Sequence, residues 1–478
     1  MSDSAEANEV QVAGNGPDPG LSALNDSSSL AGLSNPAELP LLDNQAALME
    51  WLNRQRWFAG KNRTISEVEI VERVTLDGGL QLALALVRFA SGRHEIYQLM
   101  LQNGEYETTG SQSALPAREL LGAIERGCEL DANSGRFSFR PVEVLPAPEQ
   151  ESVVPVSGEQ SHSSFVFGER LVLKLFRKIE PGINPELEML RFLAQNSFTE
   201  APALYGWSEY EGTALAATLA IGTRFVKDGE DGWTLALKEI QRDQPALLSK
   251  LAELGSATAR LHSVLASDSG DPAFCPEESS SEMLGLTRAT LDEELQRVFT
   301  NLPSDPRLAP IAGREQALRD LLSRMPQTSG GKRIRIHGDY HLGQTLRTPQ
   351  GWMILDFEGE PARRLADRRS KRSPLRDVAS MLRSFSYATW ASARATGSPA
   401  ELEFEQHARD AFIEGYFSAI EPTLLPSGSQ LQNLLTLFEL EKAVYELRYE
   451  LTHRPDWVDI PVAGIARILD PESQSHGI

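Results

Sequence analysis

The chain has 478 residues, of which 46 are Lys or Arg and 67 are Asp or Glu, so its formal net charge at pH 7 is −21. This excess of acid argues against binding to a nucleic-acid backbone, because affinity for polyphosphate depends on clustered cations that displace counterions. The length suggests two or three domains, and 41% hydrophobic with 24% charged residues is typical of a soluble globular protein.

Cysteine content and hydropathy bear on the cellular location. Cys128 and Cys275 are too few for a disulfide framework or a cysteine-based zinc site. The longest aliphatic run, residues 82–87, is far too short to span a bilayer, and the N-terminus lacks the pattern of a signal or transit peptide. We therefore expect a cytoplasmic protein without a membrane segment.

The N-terminal part of the sequence changes character near residue 39. Residues 1–38 contain no aromatic side chain and are rich in small polar residues, which predicts a disordered acidic tail. A cap domain is predicted over 39–134, with a short helix ending near Trp57 and an antiparallel sheet joined by turn signals at 77–79 and 91–93. The predicted strands of this sheet are 68–71, 80–89 and 95–101.

A β-rich small lobe is predicted over 135–230 and a mainly helical large lobe over 231–478. The small lobe should contain strands at 137–145, 163–167 and 171–176, then a helix from about residue 184 with Pro185 in its first turn. The large lobe should contain a short β segment near 333–356 and helices at 233–264, 282–300, 313–324, 376–396, 400–419 and 428–451. The expected fold class is α+β.

One ordered set of residues points to phosphoryl transfer. Asp339 precedes Gln344 by the same spacing as the Asp and Asn of the kinase catalytic loop, and an Asp356-Phe357-Glu358 triplet follows on a hydrophobic strand. Such chemistry needs one carboxylate to accept a hydroxyl proton, and an amide oxygen with a second carboxylate to hold Mg²⁺ on ATP. We predict Asp339 as the base, with Gln344 and Asp356 as metal ligands. Each fragment alone is also compatible with an ordinary turn or strand end.

Lys174 lies within the apolar segment 171–176, which resembles the kinase strand that carries an ammonium to the α- and β-phosphates. An isolated lysine in a strand is more often solvated, so this assignment depends on its position before the catalytic loop. The expected partner is a carboxylate on the following helix. Glu188 is preferred to Glu186, because an acid in the first helical turn is explained by the helix dipole alone.

The segment 157–164 is small and polar enough for its backbone amides and hydroxyls to approach a triphosphate. Ser161 and Ser163 are the candidate ATP-binding residues there. The segment lacks the G-x-G-x-x-G motif of protein kinases, and a plain hairpin loop explains it equally well.

Two segments of the large lobe are unusual. On the helix near the C-terminus, carboxylates, a lysine and tyrosines recur on adjacent faces, a mixture suited to the hydroxyls and apolar face of a sugar. These residues are Glu441, Lys442, Tyr445, Glu446, Tyr449 and Glu450. A charged ladder on a solvated helix is the alternative.

The second segment is a run of seven basic residues from Arg363 to Arg376. It is either a solvated surface run, or one or two of its arginines order the loop or face the reacting phosphates. His262 is expected to be structural.

Taken together, five segments resemble those of bacterial maltokinases, and the resemblance covers roughly residues 40–470. The segments are 56–61 (RWFAGK), 337–344, 356–361, 373–379 and 442–455. The resemblance implies a bilobal, aminoglycoside-phosphotransferase-like kinase fold with an N-terminal cap. It also implies transfer of the ATP γ-phosphoryl group to the anomeric hydroxyl of maltose, giving maltose 1-phosphate for α-glucan and glycogen synthesis.

The same resemblance implies Asp339 as base, Gln344 and Asp356 as Mg²⁺ ligands, and Lys174 with Glu188 as the phosphate-holding pair. The implied sugar-binding residues are His337, Glu358, Lys442, Tyr445, Glu446, Tyr449 and Arg454. ATP and a small sugar are the expected ligands, with a trehalose-to-maltose isomerase as a candidate protein partner. The alternatives are a kinase of another sugar, such as glucosamine, and a pseudokinase scaffold. The pseudokinase is disfavoured because a catalytically silent protein would be expected to lack one or more of the residues Lys174, Asp339, Gln344 and Asp356, all of which are present.

Overall fold

The structure is a computed structural model that describes residues 44–102, 105–106, 114–143, 151–156, 162–213, 215–268, 270–325 and 330–470. The predicted tail, Ser161 and the end of the strand predicted at 137–145 lie outside these residues. The chain divides into two compact units, Met1–Arg191 with Pro202–Lys227 and Phe192–Ala201 with Asp228–Ile478. In the described ranges, no helix combines the length and hydropathy needed to cross a membrane.

The first unit is built on strands with a few helices. Its strands are β1 (Ile65–Thr75), β2 (Leu80–Phe89), β3 (His94–Gln102), β4 (Glu105–Tyr106), β5 (Glu129–Asp131), β6 (Gly135–Pro141), β7 (Val153–Pro155), β8 (His162–Phe167), β9 (Leu171–Phe176), β10 (Lys178–Ile179), β11 (Leu204–Gly212) and β12 (Ala216–Arg224). Its helices are α1 (Gln45–Arg54), α2 (Ala114–Arg126) and α3 (Pro185–Gln195), the last of which continues into the second unit.

One sheet of this unit has the order β1-β2-β3-β10, with β4 beside β3, and confirms the predicted antiparallel arrangement. Its inner face packs with α1 around Trp57, Phe58 and Phe89. Gly60 fits because a Cβ there would lie only 2.5 Å from the Phe58 ring and 2.8 Å from the Phe89 ring. The RWFAGK segment therefore serves the packing of this core.

The second sheet has the order β5-β6-β11-β12-β9-β8-β7, which places β9 between two neighbouring strands. The two sheets are tied by the buried Glu72 of β1. Its carboxylate accepts hydrogen bonds from the backbone N–H groups of Asn133 (2.9 Å) and Ser134 (3.0 Å) and from the Tyr210 hydroxyl (2.8 Å). Strand pairing also crosses the predicted boundary at 134, since β5 joins β6 and β10 joins β3.

The second unit is mainly helical. Its helices are α4 (Gly232–Arg242), α5 (Gln244–Leu265), α6 (Ser281–Thr300), α7 (Glu315–Arg324), α8 (Leu365–Arg368), α9 (Leu375–Thr396), α10 (Leu402–Ala419), α11 (Ser429–His453) and α12 (Asp459–Leu469). Its short strands are β13 (Glu230–Asp231), β14 (Glu277–Glu278), β15 (Lys332–Arg333), β16 (Thr345–Thr348) and β17 (Gly351–Ile354). The α+β class is confirmed, with a β-rich first part and a helical second part.

Helices α5 and α10 approach each other closely at glycines. A Cβ on Gly255 would collide with the carbonyl oxygen of Phe412, and one on Gly415 with that of Ala252. The small-residue stretch of α5 is thus explained by helix packing. His262 on the same helix is fully buried and hydrogen-bonds Tyr416 Oη (2.9 Å), which confirms its structural role.

The helix predicted over 233–264 is wrong as a single element, because α4 and α5 are separate. Asp243 ends α4 and caps α5, its carboxylate accepting from the Ala246 N–H at 3.1 Å, and Pro245 lies in the first turn. An N-cap followed by proline is the usual start of a new helix. The predictions also named no element at α2, β11, β12 or α12.

Candidate active site

In the first unit, Lys174 and Glu186 form a largely buried ion pair. Lys174 Nζ lies 3.0 Å from Glu186 Oε2, and the two side chains are 13% and 10% exposed. The Glu186 backbone N–H donates to Asn184 Oδ1 at 2.8 Å at the start of α3. This ion pair favours Glu186 as the partner of Lys174, and the predicted pairing with Glu188 stays a prediction. The two acids are separated by about 200° around the helix axis and so point in different directions.

The Ser163 side chain points away from Lys174, and its predicted contact with ATP stays a prediction. In the β8–β9 register, Ser164 is opposite Lys174 and Ser163 is opposite Leu175. Directly opposed residues share a face of the sheet and successive residues alternate, so Ser163 lies on the face away from Lys174. Its Oγ accepts a hydrogen bond from Arg177 Nε at 2.8 Å. Ser164 is the serine that shares a face with Lys174.

In the second unit, Gln344 and Asp356 lie side by side at the two ends of the β16–β17 hairpin. Gln344 Nε2 donates to Asp356 Oδ2 at 3.1 Å, and the Leu355 N–H donates to the Gln344 carbonyl at 2.9 Å. Asp356 has a left-handed backbone with φ of 58°, an unusual conformation for a residue with a side chain. A rotated Gln344 amide would place its oxygen beside the Asp356 carboxylate, a pair of hard oxygen donors that suits Mg²⁺.

Asp339 lies on a loop whose backbone is held by Asp377 of α9. Asp377 Oδ2 accepts from the His337 N–H at 2.8 Å, and Oδ1 accepts from the Gly338 N–H at 2.9 Å. His262 Nε2 lies 3.1 Å from Oδ2. Burial alone would raise the pKa of Asp377, but the hydrogen bond and charge of His262 hold it below its usual value. Asp377 has no role predicted from the sequence, although an acid within the apolar face of a helix was a visible signal.

His337 was predicted to bind sugar, and this stays a prediction, whereas the contacts of its ring show a structural role. The residue is 1% exposed, and its ring lies between Tyr340 and Phe357 at centroid distances of 5.1 and 5.2 Å. His337 Nε2 donates to the Leu355 carbonyl at 2.8 Å, which leaves Nδ1 to accept from the Asp339 N–H at 3.4 Å. The imidazole therefore joins the Asp339 loop to the segment that ends at Asp356.

The pKa of His341 depends on charged residues of its own loop and of α11. His341 Nδ1 accepts from the Gly343 N–H at 3.1 Å. Burial lowers the pKa of His341, the negative charges of Asp339 and Asp356 act in the opposite direction, and the positive charge of Lys442 lowers the pKa further. Lys442 is thus within electrostatic reach of the residue that lies between the predicted base and the predicted metal ligands.

The basic run after Asp356 forms ion pairs. The pairs are Arg363–Glu360 (2.6 Å), Lys371–Glu277 (2.9 Å), Arg376–Glu441 (3.0 Å) and Arg368–Glu358 (3.7 Å). Arg368 Nη1 also donates to the Glu358 carbonyl at 3.3 Å. Burial and the neighbouring Arg363 and Arg376 lower the pKa of Arg372 to about 10. The Arg368 and Arg363 contacts hold the turn that follows Asp356, and sugar binding by Glu358 stays a prediction.

Of the residues predicted to bind sugar on α11, Glu446 is buried in an ion pair, and its sugar binding stays a prediction. It is 7% exposed and its Oε2 lies 2.8 Å from the guanidinium of Arg383, which is itself 1% exposed. A buried carboxylate with a buried arginine partner stabilises the packing of α11 on α9, because separating the pair would leave an uncompensated charge.

The remaining residues predicted on and just after α11 form a surface that we call the α11 surface, consisting of Lys442, Tyr445, Tyr449 and Arg454. Tyr445 and Tyr449 are 38% and 39% exposed. The Lys442 ammonium lies 5.5 Å from the Tyr445 ring centroid, and the Arg454 guanidinium lies 5.3 Å from that of Tyr449. Burial raises the pKa of Tyr445, and the nearby charge of Glu360 adds to this effect.

Comparisons with known families identify the class of protein to which the chain belongs. A family model described as the phosphotransferase enzyme family matches residues 152–412, more than half of the chain. The chain belongs to this phosphotransferase family. A second family model, the maltokinase N-terminal cap domain, matches residues 51–132. The resemblance stated from the sequence is confirmed, and the protein is a kinase-like phosphotransferase with a maltokinase-type cap.

Two curated relatives are glucosamine kinases. That of Streptacidiphilus jiangxiensis is 28% identical over 340 residues, covering 66% of this chain and 74% of the relative. That of Mycolicibacterium smegmatis is 26% identical over 330 residues, covering 66% and 79%. A solved glucosamine kinase in complex with glucosamine, ADP and inorganic phosphate has a TM-score of 0.64 at 22% identity, covering 83% of this chain and 95% of that one. A second crystal form has a TM-score of 0.67 at 21% identity, covering 89% and 100%. These similarities confirm the kinase-like fold.

Proposed function

We propose that the protein is a Mg²⁺-dependent maltokinase, which transfers the γ-phosphoryl group of ATP to the anomeric hydroxyl of maltose. The reaction type is supported by the Asp339 loop, whose backbone hydrogen-bonds Asp377, together with the adjacent Gln344–Asp356 pair, in a chain of the phosphotransferase family. A sugar hydroxyl is a weak nucleophile at neutral pH, so a positioned base and electrostatic stabilisation of the transferring group are what such a protein must supply.

Asp339 is the residue we assign to the acceptor hydroxyl. Its carboxylate would orient the hydroxyl and take its proton as the oxygen attacks phosphorus. Loop geometry supports this role, because the backbone of the two preceding residues is fixed by Asp377 and the Asp339 N–H is directed to His337. Lys174, held by Glu186, would bind the phosphates of the nucleotide.

The residues that would hold Mg²⁺ are Gln344 and Asp356. Their adjacent side chains offer one amide and one carboxylate oxygen, the donor types that this ion takes in phosphotransferases. When bound, the ion would supply positive charge that neutralises the phosphate oxygens. The protein's own part is to keep the two side chains together, which the hairpin does through the Leu355–Gln344 backbone hydrogen bond.

Maltose is favoured as acceptor by the maltokinase-type cap and by the charges around the α11 surface. Nearby carboxylates have cationic partners, since Glu441 pairs with Arg376 and Glu360 with Arg363. Lys442 adds a positive charge at the exposed tyrosines. A neutral disaccharide can stack on Tyr445 and Tyr449 while its hydroxyls meet these polar groups, whereas a protonated amino sugar would be repelled by Lys442.

Glucosamine is the second candidate acceptor, because both curated relatives carry that substrate in their names. The deciding experiment is a panel of sugars with ATP and Mg²⁺, followed by phosphorus and proton NMR of the product. We expect turnover of maltose with the new phosphate on the anomeric carbon. Turnover of glucosamine but not maltose, or a phosphate on carbon 6, would reject the maltose assignment.

The product, maltose 1-phosphate, would feed α-glucan and glycogen synthesis, and an ATP-dependent reaction of this kind fits the cytoplasm. A trehalose-to-maltose isomerase would supply the substrate and is the proposed protein partner. Light scattering of the two purified proteins, separately and mixed, tests for a complex. Unchanged masses in the mixture at micromolar concentration would reject a stable association.

A further inference from the structure

Arg177 lies where the chain leaves one sheet of the first unit and enters the other. Strand β9 ends at Phe176, and β10 begins at Lys178, which pairs with Tyr97 of β3. The Arg177 carbonyl accepts a hydrogen bond from the Gln98 N–H at 2.8 Å. The residues on both sides of Arg177 therefore take part in strand pairing, and Arg177 itself lies three residues after Lys174.

The Arg177 side chain connects the same two sheets. It is 1% exposed, and its guanidinium carbon lies 5.1 Å from the Trp57 ring centroid. Trp57 belongs to the RWFAGK segment and packs between Trp51 (5.7 Å) and Tyr97 (6.0 Å). On its other side, Arg177 Nε donates to Ser163 Oγ on β8 at 2.8 Å. One buried cation thus touches the aromatic core of the cap and the strand paired with the Lys174 strand.

This geometry restricts the position of β8 and β9. Cation–π contacts and hydrogen bonds from a charged donor are strongest when shielded from water, as Arg177 is. Ser163 is opposite Leu175, next to Lys174, so a shift of the Ser163 contact moves the strand pair that carries the ammonium. At the other end of the connection, Lys178 lies 2.8 Å from Glu95 of β3.

We propose that Arg177 is a positioning residue, through which Trp57 of the cap sets the β8–β9 strand pair and so the Lys174 ammonium for binding nucleoside triphosphate. The inference rests on the proposed role of Lys174 and assigns the cap a function in donor binding. It predicts that disturbing Trp57 or Arg177 changes the affinity for ATP and leaves the KM for the sugar unchanged.

The test is calorimetric titration of the full-length protein with Mg-ATP in the absence of sugar, with circular dichroism to check folding. We expect Arg177→Met and Trp57→Leu to weaken ATP binding by about 10-fold each. Ser163→Ala, which removes only a hydroxyl, should weaken it by about threefold, and Arg177→Lys should retain part of the wild-type affinity. The double variant Trp57→Leu/Arg177→Met should bind ATP no more weakly than Arg177→Met, because both changes break one chain of contacts.

Phe89→Leu is the matched control. Phe89 belongs to the same core, where it stacks on Phe58 at 6.4 Å and beneath Arg63 at 3.8 Å. We expect it to lower the unfolding temperature while leaving the ATP affinity within twofold of wild type. Equal loss of ATP affinity in Phe89→Leu would attribute the effect to general loosening and overturn the inference.

The outcomes separate this inference from the proposed function. If the wild type binds Mg-ATP and the folded Ser163→Ala, Trp57→Leu and Arg177 variants bind it equally well, the positioning role is overturned and the kinase proposal stands. If the wild type binds no Mg-ATP, the proposed function is rejected and the inference with it.

Discussion

Asp377 accepts a hydrogen bond from the backbone N–H of His337 at 2.8 Å, and through its second oxygen another from Gly338 at 2.9 Å. Because Asp339 follows directly in the chain, a carboxylate in α9 fixes the backbone that carries the proposed base. The Asp377 side chain is fully buried, so its charge is balanced by these donors and by His262.

Replacement of Asp377 by Asn should lower both activity and stability. The amide places an NH₂ group against one of the N–H donors, leaving a buried hydrogen bond unmade and His262 without its charged partner. We expect a loss of about 2–3 kcal/mol in the free energy of unfolding and roughly 10- to 100-fold in kcat. Urea unfolding and steady-state kinetics measure these quantities. The exposed Asp367 provides the control, since Asp367→Asn should change stability by less than about 0.5 kcal/mol.

Removing the proposed base should separate chemistry from nucleotide binding. Asp339→Asn keeps the shape of the side chain but cannot take a proton, so we expect kcat to fall by roughly 10²- to 10⁴-fold. The dissociation constant of Mg-ATP should stay within about threefold, measured by calorimetry. Asp356→Asn is the matched comparison, because loss of a metal ligand should weaken Mg-ATP binding as well. An Asp339→Asn protein with wild-type kcat would exclude Asp339 as the base.

Local signals in the sequence predicted much of the fold and the order of the candidate site residues along the chain. Alternating apolar residues with glycine turns predicted β2 and β3, and the spacing of Asp339, Gln344 and Asp356 identified the loop and hairpin. Strand β11 was missed because Glu209 and Glu211 interrupt its apolar pattern, although strands on both sides pair with it.

The surroundings of several predicted site residues depend on distant partners, which the sequence alone does not reveal. Glu446 reads as one of several polar residues on α11, yet its environment is set by Arg383, 63 residues earlier. The register of β8 against β9 decides whether Ser163 or Ser164 shares a face of the sheet with Lys174. A shift of one residue would exchange the faces of the two serines. Periodicity specifies which residues share a face, and only packing specifies which face is buried.

The two acids at the start of α3 provide a paired test of the Lys174 site. Glu186 holds the ammonium in a largely buried pair, so Glu186→Gln should weaken Mg-ATP binding or kcat/KM for ATP by roughly 10-fold. Glu188→Gln removes the same charge two residues later and should change either quantity by less than about threefold. ATP titration of both variants and the wild type decides between them. A larger effect at Glu188 than at Glu186 would restore the original sequence-based choice.

Glu95 should make part of the protein's stability depend on pH. Burial alone would raise the pKa of Glu95, but hydrogen bonds from Arg63, Lys178 and Tyr97 lower it from 4.5 to about 2. A lowered carboxylate pKa contributes stability that is complete above the unfolded value, near 4.5, and is lost as pH falls from there toward 2.

The measurement is urea unfolding of wild type and Glu95→Gln between pH 7 and pH 3. The difference in free energy of unfolding should be constant above about pH 5.5 and should shrink steadily below 4.5. Glu67→Gln, in an exposed pair with Arg88, serves as the control and should differ little from wild type at any pH. A difference for Glu95→Gln that grows on acidification would contradict the assigned direction of the pKa shift.

Lys442 should influence the choice between neutral and amino sugars. Its ammonium lies over the Tyr445 ring, while the acids nearby are paired with arginines. Reversing its charge in Lys442→Glu should attract a protonated amine and remove a donor to a sugar hydroxyl. We expect the ratio of kcat/KM for maltose to that for glucosamine to fall by about 10-fold, equivalent to ~1.4 kcal/mol. Lys61→Glu, at an exposed position of the cap, makes the same change in net charge and should leave this ratio unaltered.

Competition assays with both sugars, run at low and high salt, test whether the change in this ratio is electrostatic, since screening by salt should reduce it. An unchanged ratio in Lys442→Glu would place the acceptor away from the α11 surface.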